Sequence, residues 1–204
     1  IVETPNCGNV RGFGVPGGIT VILGDAYSGR VELMRALGAG IYNHVPGDGR
    51  EWIVTVPDAV AVVAEPGRSI QRVDISAFVR ADAMQGDPKK YSCAKADPFA
   101  SQAASTVEAI EAGARVLLYD ESTSASEFLS RDERIGSLLD QASGTVSLAV
   151  RARQLVDDLG LSLIVAGSSA AAEFIPVADT VLRVENFRVT NITREAREAG
   201  IPPP

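Results

Sequence analysis

The strongest constraint on the fold is an apolar strand that leads directly into a loop bounded by two glycines and then into a helix. Residues Ile19–Leu23 are mostly apolar and β-branched, which is typical of a buried strand. Gly24 and Gly29 follow with four residues between them, and apolar side chains then recur at helical spacing over residues 30–37. A strand, a loop and a helix in this order form the unit from which α/β sheets are built.

The same alternation of apolar strands and helical stripes continues along the chain. The further strand candidates are residues 115–119, 161–166 and 179–184, and the helix candidates are residues 100–112, 132–139 and 147–159. Near-continuous apolar strands separated by helices predict an α/β fold with a mainly parallel sheet covered on both faces. Residues 52–56 and 59–63 predict a small antiparallel annex, and residues 81–95 predict an irregular, mobile loop.

Composition narrows the class of protein further. The chain has 204 residues, 46% of them hydrophobic, which suits one sizeable core and excludes a disordered chain. No stretch approaches about 18 uninterrupted apolar residues, so we expect no membrane insertion. A net charge of -7 argues against nucleic-acid binding over the whole surface. Because Cys7 and Cys93 cannot form a disulfide framework, we expect an intracellular location, in the cytoplasm or the mitochondrial matrix, and not secretion.

The two ends predict a domain cut from a longer chain or a processed chain, with a complete small protein as the alternative. The sequence begins at Ile1, and it ends on three prolines after the charged residues 194–198. Proline runs are common in linkers. We therefore expect one domain over residues 1–193, followed by a linker or the start of another domain over residues 194–204.

The glycine-bounded loop has most of the pattern of a phosphate-binding loop. The candidate nucleotide-binding residues are Gly24, Asp25, Ala26, Tyr27, Ser28, Gly29, Arg30 and Val31. Glycines allow backbone N–H groups to turn around phosphate oxygens, and the following helix start favours an anion. Arg30 stands where such loops carry lysine, and Val31, at the Ser/Thr position, has no oxygen for magnesium. The alternative interpretation is a glycine-rich turn without a ligand.

A pair of acids, Asp120 and Glu121, follows the four apolar residues 116–119. Ligands of open α/β sheets bind at the carboxyl ends of the strands, where the first acid can hold a metal and the second can polarise an attacking water. The alternative is that both acids cap the segment that begins Ser122-Thr123-Ser124. The order and separation of the two motifs favour a nucleotide-binding site and predict that their strands are neighbours in the sheet.

Longer strings carry a resemblance to a known family over roughly residues 11–193. The most specific is residues 42–51, Tyr-Asn-His-Val-Pro-Gly-Asp-Gly-Arg-Glu. The others are residues 14–24, 68–70, 73–76, 101–104, 108–114, 120–125, 131–132 and 177–181. On these strings the chain resembles the predicted ATPases of the ABC class, soluble relatives of transporter nucleotide-binding domains.

The resemblance implies a P-loop NTPase fold of the ABC ATPase kind, with ATP and Mg²⁺ as cofactors. It implies that Arg30, in the Walker A loop, contacts the β- and γ-phosphates. Asp120, in the Walker B strand, would bind the water shell of the magnesium ion. Glu121 would polarise the attacking water. Ser101 and Gln102 belong to the stretch that meets nucleotide across a head-to-tail homo- or heterodimer. The resemblance also implies flanking domains, through which RNA is a candidate partner.

Departures from the family pattern bear on turnover. The family has Lys and Ser at the positions of Arg30 and Val31, and a serine- and glycine-rich stretch where this chain has Asp97 and Pro98. His44 is the chain's single histidine, and none follows residues 161–166. Loss of one preorganised electrostatic group costs about 3–4 kcal/mol, or 100–1000-fold in rate. We therefore expect ATP binding with weak or lost hydrolysis; the alternative is an inactive pseudo-ATPase with a structural or regulatory role, in an RNA-processing assembly.

Overall fold

The computed structural model describes residues 1–6, 8–84, 86–131 and 144–199. The strands are β1 (Val2–Thr4), β2 (Gly8–Val10), β3 (Ile19–Leu23), β4 (Ala59–Ala61), β5 (Ile70–Val73), β6 (Tyr91–Cys93), β7 (Val116–Asp120), β8 (Ser162–Gly167), β9 (Thr180–Glu185) and β10 (Arg188–Asn191). The α-helices are α1 (Arg30–Ala39), α2 (Pro98–Glu111), α3 (Ser126–Leu129), α4 (Leu148–Leu159), α5 (Ser169–Ala172) and α6 (Thr193–Glu198). The predicted helix over residues 132–139 lies outside the described residues.

A six-stranded, mainly parallel sheet organises the domain. Its strand order is β10-β9-β3-β8-β7-β4, and only β10 runs antiparallel to its neighbour. The α/β prediction is therefore confirmed. The prediction that the strands of the two motifs are neighbours is wrong, because β8 lies between β3 and β7. Distance along the chain does not fix strand order, and β8, with five of its six residues buried, takes the central position.

Helices cover both faces of the sheet. On one face α2, α4 and α5 pack over a core in which the Phe128 ring contacts those of Phe78, Phe99 and Tyr119. On the other face Met34 of α1 packs against Ile22. Successive strand residues point to opposite faces, so one strand contributes to both cores. Strand β3 does this with Val21 and Ile22, both of them fully buried.

The antiparallel annex is present but is built from other residues than those predicted. Strands β1 and β2 form one antiparallel pair and β5 and β6 form another. Residues 52–56 form no strand: Trp52 and Val54 are 82% and 87% exposed, and Thr55 bonds the end of α1 through Gly40 O at 2.9 Å. Within residues 59–63 only β4 is a strand, and it is parallel to β7. The predicted irregular segment contains the 3₁₀ turns Ala81–Ala83 and Pro88–Lys90 before β6.

Helix α2 begins where local chemistry predicts. The Asp97 carboxylate accepts a hydrogen bond from the Ala100 N–H at 2.9 Å, and Pro98 occupies the first turn. Asp at the N-cap satisfies an N–H that the helix leaves unpaired, and Pro at the first position loses no helical bond. The start of this helix therefore does not depend on a serine- and glycine-rich sequence.

We expect Asp97→Ala to lower the free energy of unfolding by about 1 kcal/mol, because the Ala100 N–H loses its acceptor. Urea unfolding followed by circular dichroism measures the change. Asp97→Asn is the matched control, since its amide oxygen can still accept the bond, and it should lose less than half as much. Equal losses in the two variants would show that the carboxylate charge, and not the cap bond, is what stabilises α2.

Helix α6 returns the chain to the sheet. The Val181 N–H of β9 donates to Thr193 Oγ1 at 2.9 Å, and Ala196 packs against the core. The domain boundary predicted after residue 193 remains a prediction. The last residues of the predicted linker, 200–204, lie outside the described part of the chain. Within the described residues, no helix combines the length and the apolar character that a bilayer span requires.

Candidate functional site

The loop after β3 is a tight backbone turn at the carboxyl edge of the sheet. The Ser28 N–H donates to Asp25 O at 3.3 Å, and the Gly24 N–H donates to Gly167 O at 3.2 Å. Residues 25–27 are exposed, while Ser28 is buried. Helix α1 begins directly after the loop and has no side-chain cap. The Arg30 N–H at this N-terminus donates to Ser28 Oγ at 3.3 Å, while the other N–H groups of the first turn and the positive end of the helix dipole can face an anion.

Both loop glycines are required by the geometry. Gly29 has a φ of +97°, in the left-handed region that favours glycine. A β-carbon on Gly24 would lie 2.6 Å from Ser28 Oγ and 3.1 Å from Val184 O. Tyr27 adopts a φ of +64° without being glycine and is 98% exposed. The spacing of the glycines therefore reflects a tightly wound loop.

Arg30 connects the loop to the acidic strand end. Its Nε donates to Gly24 O at 3.2 Å, and its Nη1 donates to Asp120 Oδ1 at 2.9 Å. Both side chains of this ion pair are only 11% exposed. These two bonds bring the loop and the acid together, although β8 lies between their strands in the sheet. The family resemblance implies that Arg30 contacts phosphates. In the structure, one nitrogen of its guanidinium bonds the Asp120 carboxylate.

Asp120 bonds the segment that follows it as well as Arg30. Its Oδ1 accepts the Ser122 N–H at 2.9 Å and the Ser122 hydroxyl at 2.7 Å, and its carbonyl accepts the Thr123 N–H at 3.0 Å. The sequence left a ligand role and a capping role open for this residue. The capping contacts are present, and the two from Ser122 go to the same oxygen that pairs with Arg30.

Glu121 is held by the loop that follows β8. Its Oε2 accepts the Ser168 N–H at 2.6 Å, and its Oε1 accepts the Ser169 hydroxyl at 3.0 Å. Gly167 provides the room, because a β-carbon there would collide with Glu121 Oε2. These serines stand where many relatives of the resembled family have a histidine, and the sequence gave no sign that they bind the glutamate. Both oxygens of the predicted general base are therefore hydrogen-bonded within the chain.

Ser101 and Gln102 lie inside the protein and are fully buried. Ser101 Oγ accepts the Glu65 N–H at 3.0 Å. Gln102 Nε2 donates to Ser124 Oγ at 2.8 Å, and its Oε1 accepts the Ala125 N–H at 2.7 Å. These bonds tie α2 to the segment after β7. The predicted nucleotide contact finds no exposed surface on either residue, and our proposal below does not use them.

The family-like string at residues 42–51 lies beyond the far end of α1. His44 Nδ1 is 2.8 Å from Asp48 Oδ2, and its Nε2 is 3.1 Å from Ala39 O. The Arg50 N–H, together with His44, holds the pKa of Asp48 below its ordinary value. Helix α1 spans about 15 Å between this loop and the glycine loop. His44 therefore belongs to a folded loop and not to the site at the start of α1.

Sequence reasoning missed the turn between β9 and β10, which adjoins the glycine loop. The Phe187 N–H donates to Ser28 O at 2.8 Å, and a β-carbon on Gly29 would lie 2.6 Å from Phe187 Cδ1. The available signal was Asn186, a residue that tolerates left-handed backbone, between two apolar stretches. This turn adds an aromatic side chain to the site.

The residues present do not fit the predicted magnesium ion. The Val31 side chain has no oxygen that could bind magnesium. The positively charged guanidinium of Arg30 already pairs with Asp120 Oδ1. Among the described residues, no group of three or more His, Cys, Asp or Glu side chains could hold a metal. The cation position beside Asp120 is therefore filled by the protein itself.

A parallel sheet with a glycine-bounded loop between β3 and an uncapped helix, facing a strand tipped with acids, defines a P-loop type of domain. The family model of the ABC_ATPase P-loop domain matches residues 1–201, and the chain belongs to that family. This match confirms the P-loop part of the fold prediction. No curated protein matches the chain.

Proposed function

We propose that this domain binds ATP through the backbone of the loop from Gly24 to Val31, with hydrolysis weak or lost. The observation that carries the proposal is the loop itself, whose residues 25–27 are exposed and which leads directly into α1 with no side-chain cap at Gly29. Membership of a P-loop ATPase family supports nucleotide as the ligand. The phosphate contacts come mainly from the backbone, so the side-chain changes in the loop affect binding less than turnover.

Arg30 can bind phosphate without leaving Asp120. A guanidinium has five N–H donors, and the bonds to Gly24 O and Asp120 Oδ1 use two of them. The fork is planar and suits phosphate oxygens. Arg30 would therefore bridge a bound phosphate to the carboxylate.

The contacts of the two acids support weak or lost hydrolysis. Asp120 is paired with a cation, and both oxygens of Glu121 accept hydrogen bonds from the Ser168–Ser169 segment. A general base must reach the proton it removes, and the bonds from Ser168 and Ser169 hold the Glu121 carboxylate towards the loop after β8. With one preorganised group missing, the rate falls by about 100–1000-fold.

The same contacts favour a second candidate, a pseudo-ATPase with a structural or regulatory role. Arg30, Asp120 and Glu121 join three loops at the carboxyl edge of the sheet, so the acids can persist because they stabilise the fold. A head-to-tail dimer and an association with RNA remain predictions from the family resemblance.

We expect ATP to raise the melting temperature of the domain, and wild type and Glu121→Gln to hydrolyse ATP at the same low rate. Thermal shift and isothermal calorimetry with ATP and ADP measure binding, and phosphate release measures turnover. At 100 times the Kd, a ligand adds about 2.7 kcal/mol to stability. Absence of any nucleotide effect would remove the binding proposal. A wild-type rate 100-fold above that of Glu121→Gln would overturn the claim of weak hydrolysis.

A further inference from the structure

The turn between β9 and β10 holds a phenylalanine in an unfavourable backbone conformation. Asn186 and Phe187 have φ values of +49° and +59°. Asn tolerates the left-handed region, whereas a bulky aromatic residue there is an outlier. The side chain of Phe187 is 73% exposed, so burial of the ring does little to offset the strain. Strained residues of this kind cluster at ligand sites, where the surrounding structure holds them.

The surrounding structure fixes Phe187 beside the phosphate loop. Its N–H bonds Ser28 O at 2.8 Å, and its ring lies so close to Gly29 that a β-carbon there would sit 2.6 Å from Cδ1. Because β9 runs parallel to β3, their carboxyl ends meet at the same edge of the sheet. The backbone bond and the ring contact therefore hold an exposed aromatic side chain directly beside the loop.

Phe187 and the two acids lie on opposite sides of β3. The order β9-β3-β8-β7 places the Phe187 turn on one side of the loop, and Asp120 and Glu121 on the other, beyond β8. In the proposed complex the terminal phosphate faces the acids, so the nucleoside leaves the loop on the Phe187 side. An exposed ring is suited to that end of the ligand, because every nucleobase has a face that stacks on an aromatic side chain.

We infer that Phe187 is the platform on which the nucleobase of the bound nucleotide stacks. This inference rests on the proposed function and adds to it a base subsite on the β9–β10 turn. The strained backbone keeps the ring exposed and preorganised. Stacking on one ring is tolerant of base identity, so this subsite gives affinity for nucleosides over bare polyphosphate without strong selection among bases.

The test compares ATP with inorganic tripolyphosphate, which has the phosphates and lacks the base, on the full 204-residue chain. Phe187→Gly removes the ring and relieves the positive φ, so the turn should form at least as well as in wild type. Calorimetry should give an ATP Kd about tenfold weaker for this variant, within the range measured for single stacking contacts. The tripolyphosphate Kd should stay within about twofold of wild type, since no base contact is lost.

Four further variants sharpen the result. Phe187→Asn also suits the left-handed backbone and should match Phe187→Gly, whereas Phe187→Tyr keeps a ring and should bind ATP like wild type. Val150→Ala, at a 64% exposed apolar position on α4, controls for loss of an exposed hydrophobic side chain. Tyr27→Gly tests the exposed aromatic residue within the glycine loop itself, and a base-specific loss in this variant alone would overturn the assignment to Phe187.

The outcomes separate this inference from the proposed function. Equal losses for ATP and tripolyphosphate in Phe187→Gly would show that Phe187 acts through the shape of the loop, and would overturn the base platform. Unchanged or tighter ATP binding would overturn it as well. Wild type that binds both ligands equally would leave the phosphate site in place and remove the base subsite. Wild type that binds neither would overturn the proposed function itself.

Discussion

Asp120→Ala is expected to lower the free energy of unfolding by about 3 kcal/mol. The substitution leaves the guanidinium of Arg30, 11% exposed, without its carboxylate, and removes the acceptor of the Ser122 N–H and hydroxyl. Removing one partner of a buried ion pair costs about 3–5 kcal/mol, and partial exposure places this pair at the lower end. Urea unfolding followed by tryptophan fluorescence or circular dichroism gives the value.

A double-mutant cycle with Arg30→Ala identifies the part of this loss that belongs to the pair. We expect the double variant to be more stable than the sum of the single losses predicts, by at least about 1 kcal/mol, because an unpaired charge no longer remains. Asp120→Asn is the milder control, since it keeps an acceptor for Ser122. A loss below about 1 kcal/mol in Asp120→Ala would place the pair among solvated surface salt bridges.

The double variant Arg30→Lys/Val31→Ser is expected to hydrolyse ATP about 100-fold faster than wild type when a divalent cation is supplied. Lysine has no fork with which to hold Gly24 O and Asp120 together, so it releases the carboxylate. Serine at position 31 supplies the hydroxyl oxygen that valine lacks. Restoring one preorganised electrostatic group should raise the rate of hydrolysis about 100–1000-fold. Phosphate release under saturating ATP measures the change.

Glu121→Gln in the same background is the control for this gain. The added substitution should return the rate to the wild-type level, because the amide cannot accept a proton from water. Val31→Ser alone should gain less, since Arg30 still occupies Asp120. An increase that survives Glu121→Gln would mean that Glu121 is not the general base. An unchanged rate in the double variant would show that Arg30 and Val31 are not what limits hydrolysis.

The features that sequence predicted well are those fixed by neighbouring residues. The β3–loop–α1 unit, the Asp97 cap and the end of α4 at Gly160 depend on glycine conformation, capping chemistry and apolar spacing within a few residues. Parallel pairing followed from strands that are apolar on both faces. These are local properties, and they are visible in a single sequence.

The features that sequence missed depend on distant parts of the chain. The insertion of β8 between β3 and β7, and the binding of Glu121 by Ser168 and Ser169, join residues far apart in sequence. Ser101 and Gln102 were assigned by motif, and only the packing of α2 against the segment after β7 reveals their burial. The turn at Phe187 was overlooked because a bulky residue at positive φ contradicts its own propensity.

The central position of β8 predicts which backbone amides should respond together to ligand binding. The carbonyl of the Gly167–Ser168 peptide unit accepts the Gly24 N–H, and the N–H of the same unit, that of Ser168, donates to the carboxylate of Glu121. The amide protons of Gly24 and Ser168 therefore lie on the two sides of one peptide unit, the first towards the glycine loop and the second towards Glu121. In hydrogen–deuterium exchange, we expect both amides to exchange more slowly when nucleotide binds at the proposed site. Local opening of the carboxyl end of β8 alone should speed the exchange of both.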